Sequence, residues 1–332
     1  ITLVQKRYEM LLAVVTALLL PVIALSWLSS LLYANLNPDY ITPSAWRWIV
    51  SLIVPAYVVI HGVQKKSLNQ SGAAAGLIVG FLLSISCTRF LVSLLAFFTF
   101  ASKATKYQAG KKQKIEADFK EGGQRNWIQV ISNGGPAAIL ALLYLWDVGS
   151  TDVPIDFSKT YTASWYALAV MSAIASSCGD TFASEIGAVC AKEDPVHILT
   201  WKHVPRGTNG GLSLIGTLSS VFGGLLIGIA FYVTELLMMR WVILLESPPQ
   251  WPIIFYGAIA GFTGSMIDSF IGATLQYSGK HRKTGHIVEY KGPDIEHISG
   301  RQILDNHSVN LLSSLITGLT IPYVAAQSWP VF

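Results

Sequence analysis

Long apolar stretches alternate with short polar ones along the chain. Several approach about 20 residues, the length of α-helix that crosses a hydrocarbon core of about 30 Å. The pattern predicts helices over residues 8–32, 46–62, 71–86, 90–101, 127–146, 162–189, 210–240, 252–277 and 305–328. The predicted fold is therefore all-α, a polytopic integral membrane protein with about nine transmembrane helices. The stretches at 71–86 and 90–101 are short and could form a tilted hairpin.

Most basic residues lie in alternate loops between the predicted helices. Of the 23 Lys and Arg residues, all lie on one side except Arg47, Arg89, Lys159 and Arg240. Because such residues accumulate on the cytoplasmic side of a membrane, the N-terminus is predicted to be cytoplasmic. The predicted cytoplasmic loops are 102–126, 190–209 and 278–304. The second to ninth helices then form four hairpins that close on the cytoplasm.

The composition agrees with the membrane assignment: 52% of the residues are apolar and 13% are charged. Residues 1–332 are interpreted as a single transmembrane domain in a multi-pass protein. The three cysteines show no CxxC spacing and predict neither a zinc site nor a disulfide framework. The expected partner is the lipid bilayer, with no nucleic acid, and the oligomeric state stays open.

Two aspartates stand inside apolar stretches and share a local motif. Ser177-x-x-Asp180-Thr-Phe and Ser265-x-x-Asp268-Ser-Phe follow the same pattern, which suggests internal duplication. An Asp at the centre of a membrane helix costs about 2.5–3.5 kcal/mol on insertion scales, which favours a functional role over a hydrogen-bonded helix contact. We therefore predict Asp180, Glu185 and Asp268 as catalytic residues.

Small and amide residues follow each basic loop, where a helix is predicted to re-enter the membrane. Helix N-termini present unpaired backbone amides that bind phosphate, and glycine allows close approach of the backbone. Close helix packing is the alternative role for Gly210–Gly211 and the favoured one for Gly223–Gly224. The predicted substrate- and phosphate-binding residues are Arg125, Asn126, Thr181, Ser184, Arg206, Thr208, Asn209, Gly210, Gly211, Ser269, Gln276, Asn306 and Asn310.

Carboxylates beside a phosphate site would repel the substrate unless a cation lay between them. Hard oxygen ligands favour Mg²⁺, which proteins commonly bind together with substrate phosphates. The predicted metal ligands are Asp180, Glu185, Asp268 and Asp305. Metal-assisted phosphoryl chemistry follows from this set more naturally than acid–base hydrolysis.

Four segments resemble a known membrane family. They are Lys120–Trp127, Gly179–Gly187, Pro205–Gly211 and Asp268–Gln276. They are similar to the animal branch of the family that also includes the plant phytyl-phosphate kinase of the tocopherol pathway. The resemblance covers almost the whole chain. It implies transfer of a phosphate from a nucleoside triphosphate, with CTP one candidate, to an isoprenyl monophosphate, an isoprenoid lipid substrate.

Two functions remain open at this point. One is a Mg-dependent prenyl-phosphate kinase, with the prenyl chain among the helices and its phosphate at the cytoplasmic face. The other is a cation-coupled transporter of a small anionic or lipid substrate, because duplicated hairpins with Gly-rich helices and buried carboxylates also mark transporters. The position of the aspartates towards one end of their helices favours the kinase. The endoplasmic reticulum or another endomembrane is the expected location.

Overall fold

The computed structural model describes residues 40–108, 123–191 and 193–329, together with parts of 23–36. The predicted helix at 8–32 lies largely outside these residues. The described helices are α1 (Ala45–Gln64), α2 (Gln70–Ser86), α3 (Thr88–Lys106), α4 (Trp127–Asp147), α5 (Tyr161–Cys190), α6 (Leu214–Met238), α7 (Trp241–Leu245), α8 (Pro252–Leu275) and α9 (Asn306–Ser328).

Two helix bounds differ from the prediction by more than two residues, and each has a physical reason. Helix α3 extends beyond 90–101 to Lys106, because its polar last turn still makes helical hydrogen bonds although it ends the apolar run. Helix α6 begins at Leu214 instead of residue 210. Ser213 caps it by accepting a hydrogen bond from Gly216 N, and Gly210 has a φ of +79°, outside the helical region.

The fold is mostly helical, but the all-α prediction missed two small antiparallel sheets. Strands β1 (Val196–His197) and β2 (Gly211–Leu212) pair beside the loop 190–209. Strands β3 (Ser278–His281), β4 (Ile287–Val288) and β5 (Ile295–Ser299) form a sheet in the order β4-β3-β5 within the loop 278–304. These strands are too short to show a clear alternating pattern, so hydrophobic periodicity could not reveal them.

Five of the described helices are long and apolar enough to cross a membrane: α1, α4, α6, α8 and α9. Helices α1 and α2 run antiparallel, since Arg47 near the start of one donates to Ser86 O at the end of the other. Tyr256 and Ser328 join the start of α8 to the end of α9 in the same way. The count of nine spans and the cytoplasmic side of the loops stay predictions.

Glycines bring the backbones of α5, α6 and α8 into direct contact. A Cβ on Gly179 of α5 would lie 2.6 Å from Gly261 Cα of α8. A Cβ on Gly223 of α6 would lie 2.9 Å from Cys178 O of α5, and one on Gly224 would lie 2.8 Å from Gly261 Cα. The packing role predicted for Gly223–Gly224 is therefore confirmed. Without side chains between them, the three helices meet at a fixed separation.

A buried ion-pair cluster joins the start of α3 to the end of α6. Arg89 of α3 and Glu235 of α6 are both fully buried, with Arg89 Nη1 3.2 Å from Glu235 Oε2. Arg89 also donates to Val153 O at 2.7 Å, and its guanidinium stacks over Phe231 at 4.8 Å. Asp152 completes the cluster by pairing with Arg47 and approaching Arg89 Nε at 3.9 Å.

Each charged group of this cluster lies beside a group of opposite charge. Burial raises the pKa of Asp152, but the Arg89 and Arg47 guanidiniums outweigh it and hold that pKa below its ordinary value. Thr88 N and Oγ1 also donate to the Asp152 carboxylate. Arg47 and Arg89 are two of the four basic residues that the charge pattern leaves off the predicted cytoplasmic side. The structure gives both a partner inside the protein.

Substitution of Gly179 by Ala should destabilise the fold, because the added Cβ meets a neighbouring backbone that cannot rotate away. We expect a loss of about 1–3 kcal/mol, the usual cost of overpacking. Gly76→Ala is the matched control, since its Cβ would lie 3.4 Å from Val59 Cγ2, an ordinary contact. It should leave the melting temperature unchanged or raise it, because Ala favours helix. Equal melting temperatures of both variants in detergent would contradict the close contact.

Removal of one partner of the buried pair should be more damaging than removal of both. Glu235→Leu leaves the Arg89 charge buried with less compensation, a change that costs about 3–5 kcal/mol in comparable pairs. The double variant Arg89→Leu/Glu235→Leu should melt at a higher temperature than Glu235→Leu. Lys283→Ala serves as a control, because it breaks an exposed pair with Asp294. A double variant less stable than both single variants would refute this account.

Candidate functional site

The two aspartates of the repeated motif lie near each other beside the crossing of α5 and α8. The helices touch where Gly179 meets Gly261 and where the side chain of Ser176 fills the space beside Gly264. Asp180 and Asp268 each follow this crossing within one turn, and both are half-buried. Their carboxylates are close enough for their charges to repel each other. The crossing thus produces a pair of carboxylates from distant parts of the sequence.

Helix α9 supports one member of the pair. Ser313 Oγ donates to Asp268 Oδ2 at 3.3 Å. In the amide orientation that satisfies both of its polar atoms, Asn310 donates to the same oxygen at 3.1 Å and to Asn306 O at 2.9 Å. Three helices therefore converge on the carboxylate pair.

The glycine-rich loop before α6 packs against α8 beside Asp268. At Gly210 a Cβ would lie 3.0 Å from the carbonyl oxygen of Ser269, the residue after Asp268. Asn209 N donates to Ser278 Oγ at 3.0 Å, which ties the loop to strand β3. Arg206 in the same loop lies 3.6 Å from the Asp194 carboxylate. The loop thus covers the last turns of α8.

A carboxylate that the sequence reasoning missed lies over this loop. Gln276, at the C-terminal end of α8, donates to Glu289 Oε1 at 2.7 Å. Burial raises the pKa of Glu289 above its ordinary value, although hydrogen bonds from Gln276 and Asn209 and the His307 charge act against the shift. Only the sheet β4-β3-β5 brings Glu289 back over α8, and the local sequence around it gives no signal of this position.

Arg125 lies just before α4, a helix that packs against α5. Its guanidinium donates to Ser102 Oγ at 3.0 Å and to Thr105 Oγ1 at 3.4 Å. Burial lowers the pKa of Arg125, while the charge of Glu185 raises it, so these two residues share one electrostatic environment. Arg125 O also accepts from Asn69 N, so the starts of α2 and α4 lie side by side.

A cavity of about 700 Å³, counted with the open space at its mouth, extends from Arg125 between α1, α2, α3 and α4. Its walls are apolar apart from Arg125 at one end and the amides of Gln129 and Asn133 along α4. Ser177 Oγ of α5 donates to Asn133 O at 2.9 Å, which places the α4 wall of the cavity against the helix that carries Asp180. Gln129 and Asn133 were not predicted as site residues.

Several predicted site residues make local hydrogen bonds within their own helix or turn. Thr181 Oγ1 donates to Ser177 O and Ser184 Oγ donates to Asp180 O, both within α5. Thr208 Oγ1 donates to Pro205 O at 2.6 Å, and Gly211 belongs to β2. These contacts give the residues structural roles and leave the predicted phosphate contacts untested.

Two further predicted residues cap helices. Asn126 caps α4 by accepting from Gln129 N at 3.0 Å, and Asp305 caps α9 by accepting from Ser308 N at 2.8 Å. This hydrogen bond with Ser308 also lowers the pKa of Asp305 below its ordinary value. In the described part of the chain, no group of three or more His, Cys, Asp or Glu side chains could hold a metal. Glu185 and Asp305 thus do not form one cluster with Asp180 and Asp268.

One residue of the buried Arg89–Glu235 cluster could have been recognised from the sequence. Glu235 stands inside an apolar run, as Asp180 and Asp268 do. The rule that singled out the aspartates therefore also applies to Glu235. Its partner Arg89, however, lies far away in the sequence, and only the packing of α3 against α6 identifies it.

A family model described as integral membrane protein DUF92 matches residues 53–318, most of the chain. The chain belongs to this family. The match includes both aspartate motifs, the glycine-rich loop and Arg125. It confirms the membrane-family membership that the motifs predict.

Relatives occur in plants and archaea. Protein PGR of Arabidopsis thaliana is 35% identical over 276 residues, which cover 83% of this chain and 95% of that protein. An uncharacterized membrane protein of Methanocaldococcus jannaschii is 25% identical and covers 82% of this chain and 92% of that protein. The chloroplastic protein VTE6 of Arabidopsis thaliana is 26% identical over 233 residues, 70% of this chain and 63% of that protein. No solved structure matches the chain significantly.

The capping role of Asp305 can be separated from a charge-dependent role by two substitutions. Asn is as good an N-cap as Asp, so Asp305→Asn should leave the stability of α9 nearly unchanged. Asp305→Ala removes the acceptor for Ser308 N and should cost about 1 kcal/mol. Thermal melts of the two variants provide the measurement. Equal destabilisation by Asn and Ala would show that the carboxylate charge is needed beyond the cap.

Proposed function

We propose that this protein is a membrane-embedded kinase that transfers a phosphate from a nucleoside triphosphate to an isoprenyl monophosphate. The carboxylate pair of Asp180 and Asp268 carries the proposal. Membership of the integral membrane family, together with the resemblance to a family that includes the plant phytyl-phosphate kinase, suggests the substrate class. The endoplasmic reticulum or another endomembrane stays the expected location, although the relative VTE6 is chloroplastic by name.

The pair suits a divalent cation that is shared with substrate phosphates. Two nearby carboxylates repel each other, and a cation between them would remove that repulsion. Mg²⁺ typically takes one or two carboxylates, keeps several waters and completes its coordination with substrate phosphates. Asp180 and Asp268 match that ligand set, and no larger cluster is required. When bound, Mg²⁺ would neutralise charge that develops on the transferred phosphoryl group.

The residues of the chain would act by positioning and charge stabilisation, which dominate phosphoryl transfer. A terminal oxygen of the prenyl monophosphate attacks the γ-phosphorus of the nucleotide. A new P–O bond forms, the bond between the γ-phosphorus and the β–γ bridging oxygen breaks, and the products are a prenyl diphosphate and a nucleoside diphosphate. Asn310 and Ser313 would hold Asp268 in place, and Arg125 would bind phosphate oxygens with its planar set of donors.

Two observations support the kinase over the transporter. Transporter sites commonly use interrupted helices near the bilayer midplane. Here α5 and α8 run without interruption through both aspartate motifs. Asp180 precedes the end of α5 by roughly 15 Å and Asp268 precedes the end of α8 by roughly 10 Å, so both lie towards one end.

The proposal predicts that Asp180→Asn and Asp268→Asn lose activity without losing stability. Each variant keeps the side-chain size but removes a charge that balances the cation. Turnover should fall about a hundredfold or more, since such charge stabilisation is worth several kcal/mol. The melting temperature without Mg²⁺ should stay the same or rise, because the repulsion between the two carboxylates is gone.

The assay uses the purified full-length chain, Mg²⁺, a panel of labelled nucleoside triphosphates and farnesyl or phytyl monophosphate. Asp305→Asn is the matched control, since it makes the same chemical change outside the pair and should keep most activity. Full phosphotransfer by well-folded Asp180→Asn and Asp268→Asn would remove the pair from the mechanism. A wild type that transfers no phosphate, yet takes up a substrate in a cation-dependent way in proteoliposomes, would establish the transporter instead.

A further inference from the structure

The cavity between α1, α2, α3 and α4 has mostly apolar walls and a cation at one end. Small-molecule sites commonly combine apolar walls with a few polar groups in this way. Val59 of α1, Val79 of α2, and Leu94 and Phe98 of α3 contribute to its apolar walls. Such a surface excludes polar ligands and fits a branched hydrocarbon chain.

The polar end of the cavity contains a cation. Arg125 supplies it, and the amides of Gln129 and Asn133 lie about one and two helical turns farther along α4. A guanidinium has five donors in a fixed plane that match the oxygens of a phosphate. One apolar chamber that ends at a guanidinium therefore complements a ligand with a hydrocarbon tail and a phosphate head.

The α4 wall of the cavity lies against the helix that carries Asp180. Ser177 of α5 donates to Asn133 O, and Asp180 follows Ser177 by about one helical turn. Arg125 shares an electrostatic environment with Glu185 on the same helix. A phosphate held by Arg125 would thus lie beside the helix that supplies one of the paired carboxylates.

The walls of the cavity suggest a lateral entrance. Helices α1 and α3 both line it, yet they are barely in contact with each other, whereas α1 packs closely against α2. Exposed apolar side chains cover α1, among them Ile49, Ile53 and Tyr57. A hydrocarbon chain could pass between α1 and α3 directly from the bilayer core.

We infer that this cavity binds the chain of an isoprenoid monophosphate with its phosphate on Arg125, and that Gly76 sets the chain length accepted. The inference rests on the proposed kinase function for the reaction that follows binding. Gly72 packs against Arg125 O at the polar end, and Gly76 lies one turn deeper, about 6 Å along α2. A Cβ at Gly76 would lie 3.4 Å from Val59 Cγ2, an ordinary contact, so any atoms beyond the Cβ would have to enter the cavity.

Gly76→Leu should block the deep part of the cavity and leave the polar end open. We expect the variant to bind farnesyl and geranylgeranyl monophosphates about tenfold or more weakly than wild type, and dimethylallyl monophosphate equally well. Ile78→Phe is the matched control, because Ile78 lies exposed on the same helix and should change nothing. Arg125→Gln should weaken all chain lengths by a similar factor. Gly76→Val replaces Gly76→Leu if the larger side chain prevents folding.

Binding is measured on the purified full-length chain by photocrosslinking with a diazirine-bearing farnesyl monophosphate, followed by peptide mapping. Labels should concentrate on α1, α2 and α3 residues of the cavity. Excess farnesyl monophosphate should remove them, whereas phosphatidic acid should not. Equal competition by phosphatidic acid would identify a general lipid site and overturn the inference, as would labelling spread over the lipid-facing surface.

Failure of the inference and failure of the kinase proposal give different results. If wild type phosphorylates prenyl monophosphates but Gly76→Leu shows no change in chain-length preference, the cavity is not the chain site. If the crosslinks and the length effect of Gly76→Leu both appear but no nucleotide supports phosphotransfer, the binding site stands and the kinase proposal fails.

Discussion

The contact of three helix backbones at glycines is the constraint on which the rest of the structure depends. Gly179, Gly223 and Gly261 let α5, α6 and α8 touch without side chains between them. Because backbone atoms cannot rotate away as side chains can, this contact fixes the separation of the helices. Asp180 follows Gly179 directly, and Asp268 lies one turn after Gly264, which packs against Ser176 of α5. Their mutual repulsion is thus imposed by packing, which is the strained arrangement that a shared cation would relieve.

The two ends of the helices have opposite chemistry. At one end, Arg89 and Glu235 form a closed ion pair in which each charge has its partner inside the protein. At the other, Asp180 and Asp268 are two neighbouring carboxylates, and Arg125 lies at one end of a cavity. A buried pair of opposite charges has a structural role, whereas two neighbouring carboxylates are typical of a functional site. This contrast is why only the second end is assigned a function.

Two groups of helices form different parts of the proposed site. Helices α5, α6, α8 and α9 hold the carboxylates, and α1, α2, α3 and α4 enclose the apolar chamber. The bond from Ser177 Oγ to Asn133 O joins the two groups at the level of the polar residues. A substrate with a hydrocarbon tail and a phosphate head would span this junction. The membrane would then supply the lipid to one group, and the aqueous side would supply the nucleotide to the other.

The sequence alone determined the membrane class, most helices and the repeated aspartate motif. Each of these depends on local periodicity, on run length or on a charge inside an apolar run, which neighbouring residues reveal. Tertiary structure alone decided that Asp180 meets Asp268 while Glu185 lies with Arg125. It also decided that Gly211 lies in β2, that Glu289 accepts a hydrogen bond from Gln276 at the end of α8, and that Arg89 pairs with Glu235. Such pairings join residues from 13 to 146 positions apart. Local pattern carries no information about them, because they arise only when helices cross.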